Sequence, residues 1–202
     1  MIPQKTFLAA LNHHRRDAVV LTTMGARGDW AALSEHPKRD LPVSGAMGKA
    51  SSVALGVALA QPKHKIFLID GDGSLLMNLG NLITIAHKAP TNLYHFVIDN
   101  GVYGTTGGQP LPGVGRYSLM NLAKASGYPS CHEFDQLSDF ESNIGAILQE
   151  QGPAFICAKV EYIHDPNAVG NLLPPGVSPT REAWKIVRDE LGNDLAIDGT
   201  SG

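Results

Sequence analysis

The chain has 202 residues, of which 43% are hydrophobic and 17% charged, enough to bury one sizeable core but too few for two full domains. A formal net charge of -3 offers no basic field for nucleic acid, and no run approaches the roughly 18 consecutive apolar residues that a membrane helix needs. Two cysteines, Cys131 and Cys157, cannot build a four-thiolate iron-sulfur or zinc centre and read as small core residues.

The N-terminal MIPQKTFLAALNHHRRD starts as a short amphipathic helix and lacks a charged leader followed by a long apolar run, which argues against a signal peptide and for a cytoplasmic protein. AVVLTT at 18–23 is a strand-length apolar run. MGKASSVALGVALAQ (47–61) is a helix rich in small residues, suited to close packing. KIFLID (65–70) is a second strand, and SLLMNLGNLITIAHKA (74–89) repeats apolar positions at helical spacing until Pro90 stops it. LYHFVID (93–99) is a third strand. GVYGTTGGQPLPGVGR (101–116) carries six glycines and two prolines without periodicity, the mark of a long functional or disordered loop. LSDFESNIGAILQEQG (137–152) reads as a helix capped by Ser138 and closed at Gly152, followed by the strand PAFICAKVE (153–161). HDPNAVGNLLPPGVSPT (164–180) is a proline-rich excursion into a last helix near 180–191, and about 192–202 is a flexible tail. Continuous rather than alternating apolarity predicts strands covered on both faces. The fold class is therefore α/β: one domain spanning 1–202, with a doubly wound, mainly parallel sheet and helices on both faces.

Two motifs fall at predicted strand ends, where open parallel sheets bind ligands: Gly71, Asp72 and Gly73 after one strand, Asp99 and Asn100 after the next. Glycines at 71 and 73 would permit positive φ and close approach of a ligand, and Ser74 would begin a helix whose amides favour an anionic group such as a diphosphate. The Asp72 carboxylate, the Asn100 side-chain oxygen and the Val102 carbonyl form a hard, all-oxygen donor set suited to Mg²⁺ shared with phosphate oxygens.

GDG, 25 intervening residues, then DN followed by GVYG resembles the signature of thiamine-diphosphate-dependent enzymes, and the likeness to their diphosphate-binding domain covers nearly the whole chain. That family has Asn-Asn where this chain has Asp99-Asn100, a departure that leaves the metal asparagine intact. The resemblance implies thiamine diphosphate and Mg²⁺ as cofactors. It implies contacts from Gly71, Asp72, Gly73, Ser74, Asn100, Val102, Tyr103 and Gly104, with Met47 wedged beneath the bent rings and Gly45 meeting the aminopyrimidine. It also implies a half-site: the glutamate that activates the cofactor belongs to a pyrimidine-binding domain, here expected on a separate α subunit, in a two-plus-two or larger assembly.

Tyr103 to Gln109, YGTTGGQ, further resembles the run after the metal asparagine in sulfopyruvate and phosphonopyruvate decarboxylases, which implies a β subunit of a 2-oxoacid decarboxylase. The alternatives are an acetolactate-synthase-like carboligase, a 2-oxoacid oxidoreductase β subunit, for which the cysteines are too few, and a non-catalytic cofactor-binding subunit. Among basic groups, Arg27, Lys49 and Arg116 read as solvated charges. His36 is placed to face substrate, His13, His14, His64 and His87 lie at the surface, and His95 belongs to the core or an interface.

Overall fold

The computed structural model describes residues 1–43, 47–163 and 180–192. Gly45, the excursion after Ile163 and the tail after Gly192 lie outside the described residues. Helix α1 (Gln4–His14) leads into β1 (Val19–Thr22), α2 (Met24–Leu33), β2 (Asp40–Pro42), α3 (Ala50–Ala60) and β3 (Ile66–Gly71). Then come α4 (Asp72–Met77), α5 (Asn81–Lys88), β4 (Leu93–Asp99), and the short strands β5 (Val102–Tyr103) and β6 (Gln109–Pro110). The chain continues through α6 (Leu119–Ala125), β7 (Ser130–Phe134), α7 (Leu137–Ile147), β8 (Ala154–Lys159) and α8 (Thr180–Leu191).

Six strands form one sheet in the order β2-β1-β3-β4-β8-β7, every neighbouring pair parallel, as the continuous apolar runs require. Alternate residues of each strand feed two cores. Phe67, Ile69, Tyr94 and Phe96 pack with Phe7 and Leu11 of α1, Trp30 of α2 and Phe140 of α7. Ile66, Leu68, Leu93 and Val97 face the other way, onto α3, α5, α6 and Val187 of α8. The sheet is thus doubly wound, with strand order reversing between β1 and β3. Among the described residues no helix is long and apolar enough to cross a membrane.

The structure corrects several local expectations. Residues 74–89 are two helices, because the Asn78 side chain turns away to donate to Gly48 O at 2.9 Å and ends α4 at Met77. The loop 101–116 is not structureless: β5 pairs antiparallel with β6 around a 3-10 turn at Gly104–Thr106, and Gln109 Nε2 donates to Thr106 O at 2.8 Å to close its tip. Helix α7 has Gln136 rather than Ser138 at its cap and ends at Ile147, short of Gly152. Gly152 serves a different purpose, since a Cβ there would lie 2.6 Å from Leu93 O at the start of β4. The edge strands β2 and β7 and the helices α2 and α6 lacked a predictive signal. SCHEF and DLP are short and mixed in polarity, and α2 contains two glycines.

Phe67 is fully buried near the start of β3, with ring contacts to Tyr94 at 5.8 Å and Phe96 at 5.2 Å. Phe67→Ala is expected to cost about 3–5 kcal/mol in urea unfolding, through lost transfer energy and the cavity left behind.

Candidate functional site

The reversal of strand order opens a crevice beyond the carboxyl ends of β1, β3 and β4, the place where open α/β sheets hold ligands. A cleft of about 720 Å³ occupies it. Met47 lines it ahead of α3, Gly71, Asp72, Gly73 and Ser74 line it at the β3 tip, and Asn100, Val102, Tyr103 and Gly104 line it at the β4 tip. Every predicted site residue within the described part of the chain therefore reaches one cavity.

The two tips are joined by a single side chain. Asp72 Oδ2 accepts from Asn100 N at 2.8 Å and Gly101 N at 2.6 Å, while Oδ1 accepts from Gly73 N at 2.7 Å. Register brings them together, because Gly71 pairs with Ile98 across the β3–β4 ladder. Asn100 Oδ1 in turn accepts from Val102 N at 3.0 Å, which bends the chain into β5. Ser74 Oγ accepts from Gly48 N at 3.2 Å, tying the β3 tip to the segment before α3.

Some roles differ from expectation in detail. The helix after β3 begins at Asp72, not Ser74. Neither Gly71 nor Gly73 adopts positive φ. Gly73 is small because a Cβ would stand 2.7 and 2.8 Å from Cδ1 and Cε1 of Tyr103, so the tyrosine ring seats directly on the turn. Arg27, Lys49, Arg116 and His36 do not line the cleft; His36 borders a separate polar hollow with Arg15 and Glu35. His95 is fully buried, and Cys157 is a core residue, whereas Cys131 is only partly covered. Sequence reasoning missed the opposite wall, formed by Gln4, Lys5, Thr23 and Asp29, and the floor residue Asp70. Thr23 closes the AVVLTT run, so its strand-end position was a usable signal; Lys5 and Asp29 approach to 3.8 Å only through tertiary packing.

The electrostatics of the cleft are acidic. Asp29, Asp70, Asp72 and Glu161 line it against one cationic lining residue, Lys5, among the described residues. Asp72 is 2% exposed, and burial pushes its carboxyl from 3.8 up to about 7. The amides of Gly101, Gly73 and Asn100 oppose that shift, and the charge of Asp99 adds to it.

Two outcomes follow from this geometry. Below about pH 4 the Asp72 carboxyl is protonated in folded and unfolded chains alike; between about 4 and 7 the folded state alone keeps the proton, so ionisation subtracts stability as pH rises, completely above 7. Ligand-free wild type should therefore lose urea midpoint across that interval relative to Asp72→Asn, and parallel profiles for the two would refute the burial argument. Gly73→Ala should cost about 1–3 kcal/mol in the same assay, because Tyr103 must leave its seat.

Comparisons with known proteins agree with this arrangement. The family described as "Thiamine pyrophosphate enzyme, C-terminal TPP binding domain" matches residues 23–158. The chain is 36% identical over 171 residues to a phosphonopyruvate decarboxylase of Streptomyces viridochromogenes, covering 85% of this chain but only 42% of that protein. It is 39% identical over 141 residues to a sulfopyruvate decarboxylase subunit beta of Methanocaldococcus jannaschii, covering 70% of this chain and 74% of that one. The fold is shared with a protein whose crystal structure is described as "X-ray structure of a putative thiamin diphosphate-dependent enzyme isolated from Mycobacterium smegmatis", at a TM-score of 0.68 and 21% identity over 80% of this chain and 32% of that chain. With the family matched across the β2, β3, β4 and β7 strands and across both strand tips of the cleft, this chain belongs to the thiamine pyrophosphate enzymes, as their C-terminal TPP-binding domain.

Proposed function

We propose that the chain is the β subunit of a thiamine-diphosphate- and Mg²⁺-dependent 2-oxoacid decarboxylase that releases carbon dioxide non-oxidatively from sulfopyruvate or phosphonopyruvate. The observation that carries the reading is the meeting of Asp72 with the Asn100 and Gly101 amides at 2.8 and 2.6 Å, which ties together the two strand tips that carry the proposed donor oxygens.

The donors fit the group. A carboxyl only 2% exposed and pushed up to about 7 is a costly anion by itself, and a divalent cation beside it would offset that cost. Among the described residues no three or more His, Cys, Asp or Glu are placed to hold one metal ion, so a cation at Asp72 would complete its shell with amide, backbone and phosphate oxygens, the preference of Mg²⁺. An acidic cleft likewise admits a diphosphate only with a cation between them. Asp72, Asn100 Oδ1 and the Val102 carbonyl would hold the metal. Gly71, Gly73 and Ser74 would lie along the diphosphate, Tyr103 and Gly104 would wall the loop side, and Met47 would support the rings. When bound, thiamine diphosphate supplies the carbon nucleophile and electron sink for loss of the carboxylate.

This chain's residues bind and orient; the activating glutamate would come from a pyrimidine-binding α subunit, in an assembly of two chains of each kind or a multiple of it. The substrate reading draws on the names of the relatives and on the YGTTGGQ run, folded here into the β5–β6 hairpin over the cleft.

Asp72→Ala should weaken Mg²⁺-dependent thiamine diphosphate binding by at least about tenfold in calorimetry on the assembled complex. Unchanged affinity sinks the metal assignment. A carbon dioxide release assay over a panel of 2-oxoacids, with sulfopyruvate and phosphonopyruvate preferred over pyruvate, is the expected outcome for the substrate; equal turnover of all three would reject it.

A further inference from the structure

Directly beneath the Asp72 turn lies a polar pair that the proposed chemistry does not use. Asp70 is 1% exposed and His95 0%, and Asp70 Oδ2 stands 3.5 Å from His95 Nε2. They occupy a layer otherwise built from Ile66, Leu68, Leu93, Val97 and Phe155. Burying two such groups in an apolar layer costs free energy that their mutual contact recovers only with good geometry. Here the geometry is poor, because among the described residues His95 Nε2 has no hydrogen-bond partner beyond that long approach. The pair is therefore a weak source of stability.

Its surroundings indicate what it does instead. Asp70 Oδ1 accepts from Gly71 N at 2.9 Å, at the last residue of β3, and Asp70 is also part of the cleft floor. The His95 imidazole has little freedom to turn: Phe155 stacks against it edge-on at 5.3 Å, and Nδ1 lies 3.4 Å from the buried Tyr128 hydroxyl. A fixed ring on β4 therefore sets where the Asp70 carboxyl can sit on β3, and that carboxyl holds the amide of the first glycine of the turn. Asp72 leaves the strand one residue later and must reach Asn100 N and Gly101 N within normal hydrogen-bond distance.

We propose that Asp70 and His95 are a positioning pair: His95 locks the Asp70 carboxyl, Asp70 locks the Gly71 amide, and the two together aim Asp72 at the β4 tip. The consequence for cofactor binding rests on the functional reading above, whereas the effect on the turn does not.

Amide hydrogen exchange on the full-length chain without ligand tests the turn directly. Asp70→Leu and His95→Leu should each accelerate exchange at Gly71, Asn100 and Gly101 by about tenfold or more, while Asp70→Asn, which keeps an acceptor for Gly71 N–H, should stay within about threefold of wild type. The double variant Asp70→Leu/His95→Leu should unfold at the same or a higher urea midpoint than wild type, yet keep the fast exchange at those amides. A purely structural pair gives the opposite pattern, a lower midpoint with exchange rising everywhere in step, and that result overturns the proposal, as does unchanged exchange in Asp70→Leu. In a parallel Mn²⁺ titration with thiamine diphosphate on the complex assembled with the α subunit, wild type that binds and a double variant that binds at least about tenfold more weakly support the link to the site. Equal binding by both refutes that link. Wild type that binds neither refutes the functional reading and leaves the exchange result to judge the pair.

Discussion

A buried carboxyl bridging two strand tips is the interaction on which the rest of the site depends. Asp72 accepts from its own turn at Gly73 N and from Asn100 N and Gly101 N across the gap, so β3 and β4 end at a common point rather than as two independent loops. The arrangement is costly when the acid is ionised, because burial pushes it up to about 7 despite three amide donors. A carboxyl at 2% exposure in the wall of a cleft lowers stability once it ionises, a conflict of the kind that clusters at functional sites.

The sheet makes that anchor possible. Parallel strands present all their carboxyl ends at one edge, and the reversal of order between β1 and β3 leaves that edge open, so residues distant in sequence converge there without any special device. The two apolar layers, one around Phe67 and Phe96 and the other around Leu68 and Val97, clamp both faces of β3 and β4 and hold the tips in register. Around them the loops interlock: Tyr103 sits on Gly73, and Tyr162 lies against Gly104 and Gly108, where a Cβ would come within 3.3 and 2.7 Å of its ring and hydroxyl. The chain spans 42% of the phosphonopyruvate decarboxylase it matches and 74% of the sulfopyruvate decarboxylase β subunit.

Much of this was legible because the informative signals are local. The apolar runs at 18–23, 65–70, 93–99 and 153–161 became β1, β3, β4 and β8 with little change, and GDG and DN fell at strand ends as their glycine and amide chemistry suggested. The failures were equally physical. Helical periodicity continued through Asn78, but the side chain's bond to Gly48 O, a contact across about thirty residues, ended the helix there. The glycines of 101–116 concealed a hairpin, since a two-residue strand has no periodicity to detect. The edge strands escaped notice because only one side of each pairs within the sheet, which relaxes the demand for apolar residues.

By itself the sequence determined the α/β class, the parallel sheet and the residue types at each strand end, because continuous apolar runs and glycine turns act over a few residues at a time. Only the tertiary structure decided that Lys5 and Asp29 face the β3 tip, that Tyr103 rests on Gly73, and that Asp70 meets His95 inside the core. Those contacts depend on strand register and on which face each side chain takes, and both are settled only when the whole sheet packs between its two helical layers.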